Sequence, residues 1–187
     1  MKIAILGWGS LIKEPRDLPI MGEWQSDGPK LWIEFSRISR NGKRAGCLTL
    51  VIDEKCESEV TTLYVFSNRN DVSQAIADLQ KREGTPTPDD IGFCEVGTGR
   101  FAPNAITRHP KSCERILAWA KDKKLDAVIW TALPRRFKDA TGIPFTPEAA
   151  LKYLNELPAP TKALALDYIG SAPEQIMTPF RRLLLES

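Results

Sequence analysis

Residues 31–66, LWIEFSRISRNGKRAGCLTLVIDEKCESEVTTLYVF, decide the class of fold. Leu31, Ile33 and Phe35 alternate with Trp32, Glu34 and Ser36, the period of two that marks a half-buried strand. Gly46 to Ile52 and Val60 to Phe66 are two further segments whose branched and aromatic side chains suit a pleated surface. Between the first two, Arg40-Asn41-Gly42-Lys43-Arg44 carries an Asn-Gly turn signal, so these strands run antiparallel. The polar stretch Asp53 to Ser58 predicts a second hairpin, joining the other two.

Upstream, Lys2 to Leu6 is a short apolar run that stops at Gly7, as a strand does. Downstream the period changes. Val72, Ala75, Ile76 and Leu79 fall at i, i+3, i+4 and i+7, which predicts an amphipathic helix from Asp71 to Arg82 with Asn70 or Asp71 as its cap and Gly84 as its stop. Gly92 to Val96 reads as a strand, Gly97 to Pro110 as loop or irregular strand, Ser112 to Lys124 as a helix, and Asp126 to Leu133 as a buried strand. Thr146 and Pro147 form a cap and first turn opening a helix to Leu157. Pro158 to Pro160 and Ile143-Pro144 read as turns, and Ser171 with Glu174 has the spacing of a capping box opening a last helix to about Leu185. Strands first and helices later imply an α+β domain, with a curved or closed antiparallel sheet supporting packed helices.

Composition narrows the function. The 187 residues are 42% hydrophobic and suit one globular domain spanning 1–187. Twenty-six Lys and Arg against 24 Asp and Glu leave a net charge of +2, which argues against a surface that tracks nucleic-acid phosphates. No apolar run approaches the ~20 residues a membrane span needs, and the apolar N-terminus is too short for a secretory core, so a cytoplasmic setting is expected. Cys47, Cys56, Cys94 and Cys113 are widely spaced and read as small buried hydrophobes. With His109 as the only histidine, in the polar stretch Thr107 to Lys111, neither a metal site nor an imidazole-based nucleophile is expected.

Two features carry chemistry. Gly7-Trp8-Gly9-Ser10-Leu11 follows the first strand directly, and its glycines allow successive N–H groups to converge on a carboxylate or oxyanion; a plain tight turn is the alternative. It matches neither a dinucleotide fingerprint nor a Walker loop. Glu83 lies seven residues after Ile76, on the apolar side of the predicted helix, where a carboxylate loses hydration and can move protons near neutral pH; a solvated helix end beside Lys81 and Arg82 is the alternative.

Trp8-Gly9-Ser10-Leu11 after a first strand, followed by Leu79-Gln80-Lys81-Arg82-Glu83-Gly84 at a helix end, resembles the gamma-glutamylcyclotransferase-like family, and the Leu11-Ile12 continuation is closest to its ChaC-type branch. The order of strands across Leu31 to Phe66, with Ser39-Arg40 in a Ser and Arg-rich place, is similar too. The resemblance covers about the first hundred residues. It implies a small mixed, largely antiparallel β-barrel flanked by helices, with a barrel core of about 1–133 and a helical C-terminal extension of about 134–187. It further implies cyclisation of a γ-glutamyl compound to 5-oxoproline, with Glu83 as acid/base, Trp8, Gly9, Ser10 and Leu11 as the substrate cradle, and no cofactor. Departures from the pattern are Trp8 in place of the loop tyrosine, and Ile91 and Phe93 near the place of a tyrosine after Gly84; the leaving amine is left open. A non-catalytic binding module on the same fold, and transfer of the γ-glutamyl group to another amine, are the competing expectations.

The remaining features read as structural. Arg135-Arg136 is taken as a solvated strand end rather than an anion contact, Arg181-Arg182 as cations suited to the C-terminal half of a helix, and Trp24, Trp32, Trp119 and Trp130 as core filling rather than base stacking.

Overall fold

The computed structural model describes residues 1–187. In chain order it runs β1 (Ile3–Gly7), α1 (Ser10–Lys13), β2 (Ile20–Gln25), β3 (Lys30–Leu31), β4 (Ile33–Ile38), β5 (Leu48–Ile52), β6 (Val60–Thr61), β7 (Leu63–Ser67), α2 (Val72–Glu83), β8 (Ile91–Glu95) and β9 (Arg100–Phe101). There follow α3 (Pro103–Arg108), α4 (Pro110–Asp122), β10 (Ala127–Thr131), α5 (Phe137–Thr141), α6 (Pro147–Glu156), α7 (Ala159–Ser171) and α8 (Pro179–Glu186).

Six strands form one mixed sheet in the order β2-β7-β1-β10-β8-β9. Its centre is β1, parallel to β10 and antiparallel to β7. Register sorts the side chains by face. Ile3 and Ile5 pair with Ala127 and Ile129, and all four belong to a small core that α2 covers with Val72, Ala75 and Leu79. Ala4 pairs with Val128, and both face the larger core of 33 residues, which takes in β4, β5 and helices α4 to α8. The fold is therefore α+β, with the four central strands of the sheet covered on both faces. It is open, with edges at β2 and β9, and the hairpin β4–β5 and the short pair β3–β6 are separate ribbons, so the sheet does not close into a barrel.

Local chemistry explains the elements that match expectation. The Asp71 carboxylate accepts the Gln74 N–H at 2.8 Å to open α2, and Gly84, at φ 66°, closes it in the left-handed region that favours glycine. The Thr146 hydroxyl accepts the Ala149 N–H at 3.1 Å ahead of Pro147. The Asn41-Gly42 turn joins β4 to β5 antiparallel.

Several expectations are overturned. Asp53 to Ser58 closes no hairpin, because β5 pairs with β4 and β6 with β3. The strand at Ile33–Ile38 is buried on both faces, Glu34 and Ser36 included. Residues 97–110 contain β9 and α3. The helical run does break at residues 157 and 158, between α6 and α7, but Pro160 lies within the first turn of α7, where a proline loses no hydrogen bond. The last helix starts at Pro179 behind a Thr178 cap; Ser171 instead ends α7, its hydroxyl donating to the Tyr168 carbonyl. Arg181 is thus in the first turn of α8 and buried, and its guanidinium donates to the carbonyls of Ala172, Pro173 and Ile176, closing the end of α7. The extension is continuous with the core, since Ala150, Leu154, Ala165, Tyr168, Ile169, Ile176 and Phe180 all belong to the larger cluster. Trp130 is fully buried while Trp24 and Trp119 pack at its margin. Cys47, Cys94 and Cys113 are buried, Cys56 is half-buried, and all four thiols are free. No helix is long and apolar enough to cross a membrane.

Gly92 faces Trp130 across the β8–β10 ladder, and a Cβ there would lie 2.3 Å from the indole ring. With Trp130 fully enclosed the ring cannot retreat freely, so Gly92→Ala should destabilise by roughly 1–3 kcal/mol. The check is a lower denaturant midpoint with an unchanged m-value.

Candidate functional site

The loop after β1 is fixed by its own side chains. Gly7 admits the Trp24 ring, since a Cβ would sit 2.7 Å from it. Trp8 turns into the larger core and Leu11 into the smaller one, so the two residues pin the loop to opposite faces of the sheet. Their contribution to a ligand would come through the backbone; Gly9 and Ser10 are the partly exposed members. The Trp8 and Gly9 N–H groups donate to no protein acceptor, and Ser10 and Leu11 open α1, whose first N–H groups have no partner within the helix.

At the far end of α2 the chain brings Glu83 to this loop. Arg82 makes the connection: its Nη2 is 3.5 Å from Ser10 Oγ and its Nη1 2.6 Å from Glu83 Oε1. The same guanidinium donates twice to the Glu14 carbonyl at the end of α1, at 2.8 and 3.2 Å. Arg82 is 7% exposed, whereas the Glu83 side chain is 17% exposed with Oε2 unpartnered by the chain. The buried face of α2 runs Val72, Ala75, Leu79, Arg82, so it is residue 82 that continues the apolar stripe and 83 that flanks it. Counting from the half-buried Ile76 shifts the stripe by one residue.

Two more groups complete the cluster, both missed by sequence reasoning. Tyr168, from α7, is buried with its phenolic oxygen against Gly9, where a Cβ would approach to 2.9 Å. It accepts the Leu50 N–H at 3.4 Å. Burial raises the Tyr168 pKa first of all; the Glu83 charge acts the same way, while the Arg44 and Arg82 charges oppose it. Arg44 lies over the Tyr168 ring at 4.9 Å and reaches Glu14 Oε1 at 3.5 Å. Nothing in the sequence ties residues 44 and 168 to residue 9, and Arg82, at i+3 from Leu79 on the buried stripe, reads in the sequence only as a charged neighbour of Glu83.

A cavity of about 670 Å³ lies elsewhere: none of residues 7–14, 82–84 or Tyr168 lines it. Glu34, Ser36, Asp53 and Arg135 do. Arg135 is not merely a solvated strand end, since its Nη1 donates to the buried Asp53 carboxylate at 3.1 Å. This ion pair also borders a second cavity of about 460 Å³ that reaches His109. His109 is 5% exposed between α3 and α4, not in an open loop, with Nε2 unpartnered, and burial lowers its pKa to about 4. No group of three or more His, Cys, Asp and Glu is placed to hold a metal ion.

Comparison of the chain with models of protein families, with curated proteins and with solved structures finds no match in any of the three.

Proposed function

We propose that the Ser10–Glu83 cluster is the active site of a gamma-glutamylcyclotransferase-like enzyme, which cyclises the γ-glutamyl group of an amino acid, peptide or amine to 5-oxoproline and releases the amine. The observation that carries it is the meeting of Glu83 with the N–H-rich Trp8 to Leu11 loop through the single Arg82 guanidinium. Glu83 lies at one end of a helix and Ser10 at the start of another, 73 residues away in sequence.

The chemistry asks little of the protein. The substrate's α-amine attacks its own γ-carbonyl carbon, a C–N bond forms, the γ-amide C–N bond breaks, and holding the chain folded supplies the intramolecular advantage. Glu83 Oε2 takes the proton from the attacking amine and returns it to the leaving one. The loop N–H groups stabilise the carbonyl oxygen as it gains charge, and Arg82 holds Glu83 by its other oxygen. These steps need no cofactor. Buried free thiols suit a reducing, cytoplasmic compartment.

A second reading, a binding module without turnover, is favoured by a cavity of about 670 Å³ lying away from this cluster. The test is an assay of γ-glutamyl amino acids, peptides and amines with and without an added acceptor amine. Cyclisation gives 5-oxoproline whether or not acceptor is present; transfer gives a new γ-glutamyl amide only when it is; a binding module gives neither.

A further inference from the structure

The cavity of about 670 Å³ contains polar groups that the chain leaves incompletely partnered. Glu34 and Ser36 project from the same face of β4 into it, while Ile33 and Phe35 belong to the core. Glu34 is accounted for: its two oxygens accept the N–H groups of Phe35 at 2.7 Å and Phe180 at 3.2 Å, tying β4 to the start of α8. Ser36 is not. Its hydroxyl is fully buried and has no hydrogen-bond partner, an arrangement that costs stability unless something supplies one. Beside it Asp53, 3% exposed, accepts the Lys55 N–H and Arg135 Nη1 through Oδ1, and no protein donor reaches Oδ2. Arg135 keeps its Nε and Nη2 donors unpaired with any protein acceptor.

An Asp53–Arg135 pair with one free acceptor side and one free donor side is complementary to a group carrying both signs of charge. A lone cation would meet Arg135, and a lone anion would meet Asp53 and Glu34. The wall beyond is mixed: Phe145, half-buried and edge-on to Phe137 at 5.4 Å between ring centres, supplies an apolar patch among Lys55, Lys138, Asp139 and Glu148. We infer that this cavity binds a free α-amino acid with an apolar side chain, its ammonium on Asp53 Oδ2 and the Ser36 hydroxyl, its carboxylate on Arg135, and its side chain against Phe145. The site is separate from the Ser10–Glu83 cluster and does not depend on cyclisation.

The test is an amide-resolved NMR titration of the full chain with L-phenylalanine, N-acetyl-L-phenylalanine and phenethylamine. L-Phenylalanine should give saturable shifts at the amides of residues 34–36, 53–55 and 135, with a Kd of about 1 mM or tighter. Each analogue lacks one charge and should bind at least about tenfold more weakly. Ser36→Ala should weaken the amino acid several-fold, and so should Arg135→Gln, whose circular dichroism is compared with the wild type because the change leaves the buried Asp53 without its ion partner. Absence of shifts at about 10 mM, equal binding by either analogue, or full affinity in Arg135→Gln would overturn the inference.

Discussion

Glu83→Gln should lower the rate of 5-oxoproline release by about 10²–10⁴-fold while the protein keeps its fold and its affinity for a γ-glutamyl ligand. Glutamine preserves the length of the side chain and an oxygen for the Arg82 contact seen at 2.6 Å, so the loop-to-helix connection survives. What it removes is the acceptor that takes a proton from the α-amine. The expected signature is therefore a fall in kcat with little change in KM. Circular dichroism and melting temperature matching the wild type would show that the loss is chemical. A variant that turns over at the wild-type rate would remove Glu83 from the reaction.

Acid should destabilise the protein through His109. In the unfolded chain its imidazole takes a proton near pH 6.5; in the fold, burial delays this to about 4. The Glu54 and Asp53 charges work against that delay, and the Arg108 and Arg135 charges reinforce it. Between those two values the unfolded state binds more protons, so stability rises with pH; it is fully present above 6.5 and is lost as pH falls toward 4. The difference corresponds to about 3 kcal/mol. Glu34 acts oppositely: burial raises its pKa, so the native state holds its proton longer and stability falls as pH rises above 4.5. Subtracting the profile of His109→Gln from that of the wild type isolates the histidine. The difference should shrink by about 3 kcal/mol from about pH 7 to about pH 4. Parallel profiles would mean that His109 is solvated.

Short-range signals were legible in the sequence and long-range ones were not. Asp71, Gly84, Thr146 with Pro147, and Asn41-Gly42 act on neighbours within four residues, and each does what its local chemistry predicts. The Ser171–Glu174 spacing failed because Thr178-Pro179 offers a cap and a proline together, and Arg181 then spends its donors closing α7. Pro160 misled because a proline in the first turn looks, in sequence, like one that breaks a helix. Glu34 and Ser36 looked solvent-facing because alternation reports two faces but not what lies on each; α8 and the 670 Å³ cavity occupy the polar one. At the candidate site, Ser10 and Glu83 were legible as separate motifs. Their link was not, because it runs through Arg82, a charge on a buried stripe, and through Tyr168, which only tertiary packing brings to Gly9.

The most direct measurement incubates the wild-type protein with a γ-glutamyl amino acid and quantifies both products by mass spectrometry. Cyclisation at the Ser10–Glu83 cluster predicts 5-oxoproline and free amine in equal amounts, growing linearly with enzyme. Recovery of the γ-glutamyl compounds intact across the panel, or hydrolysis to glutamate in place of 5-oxoproline, would contradict it.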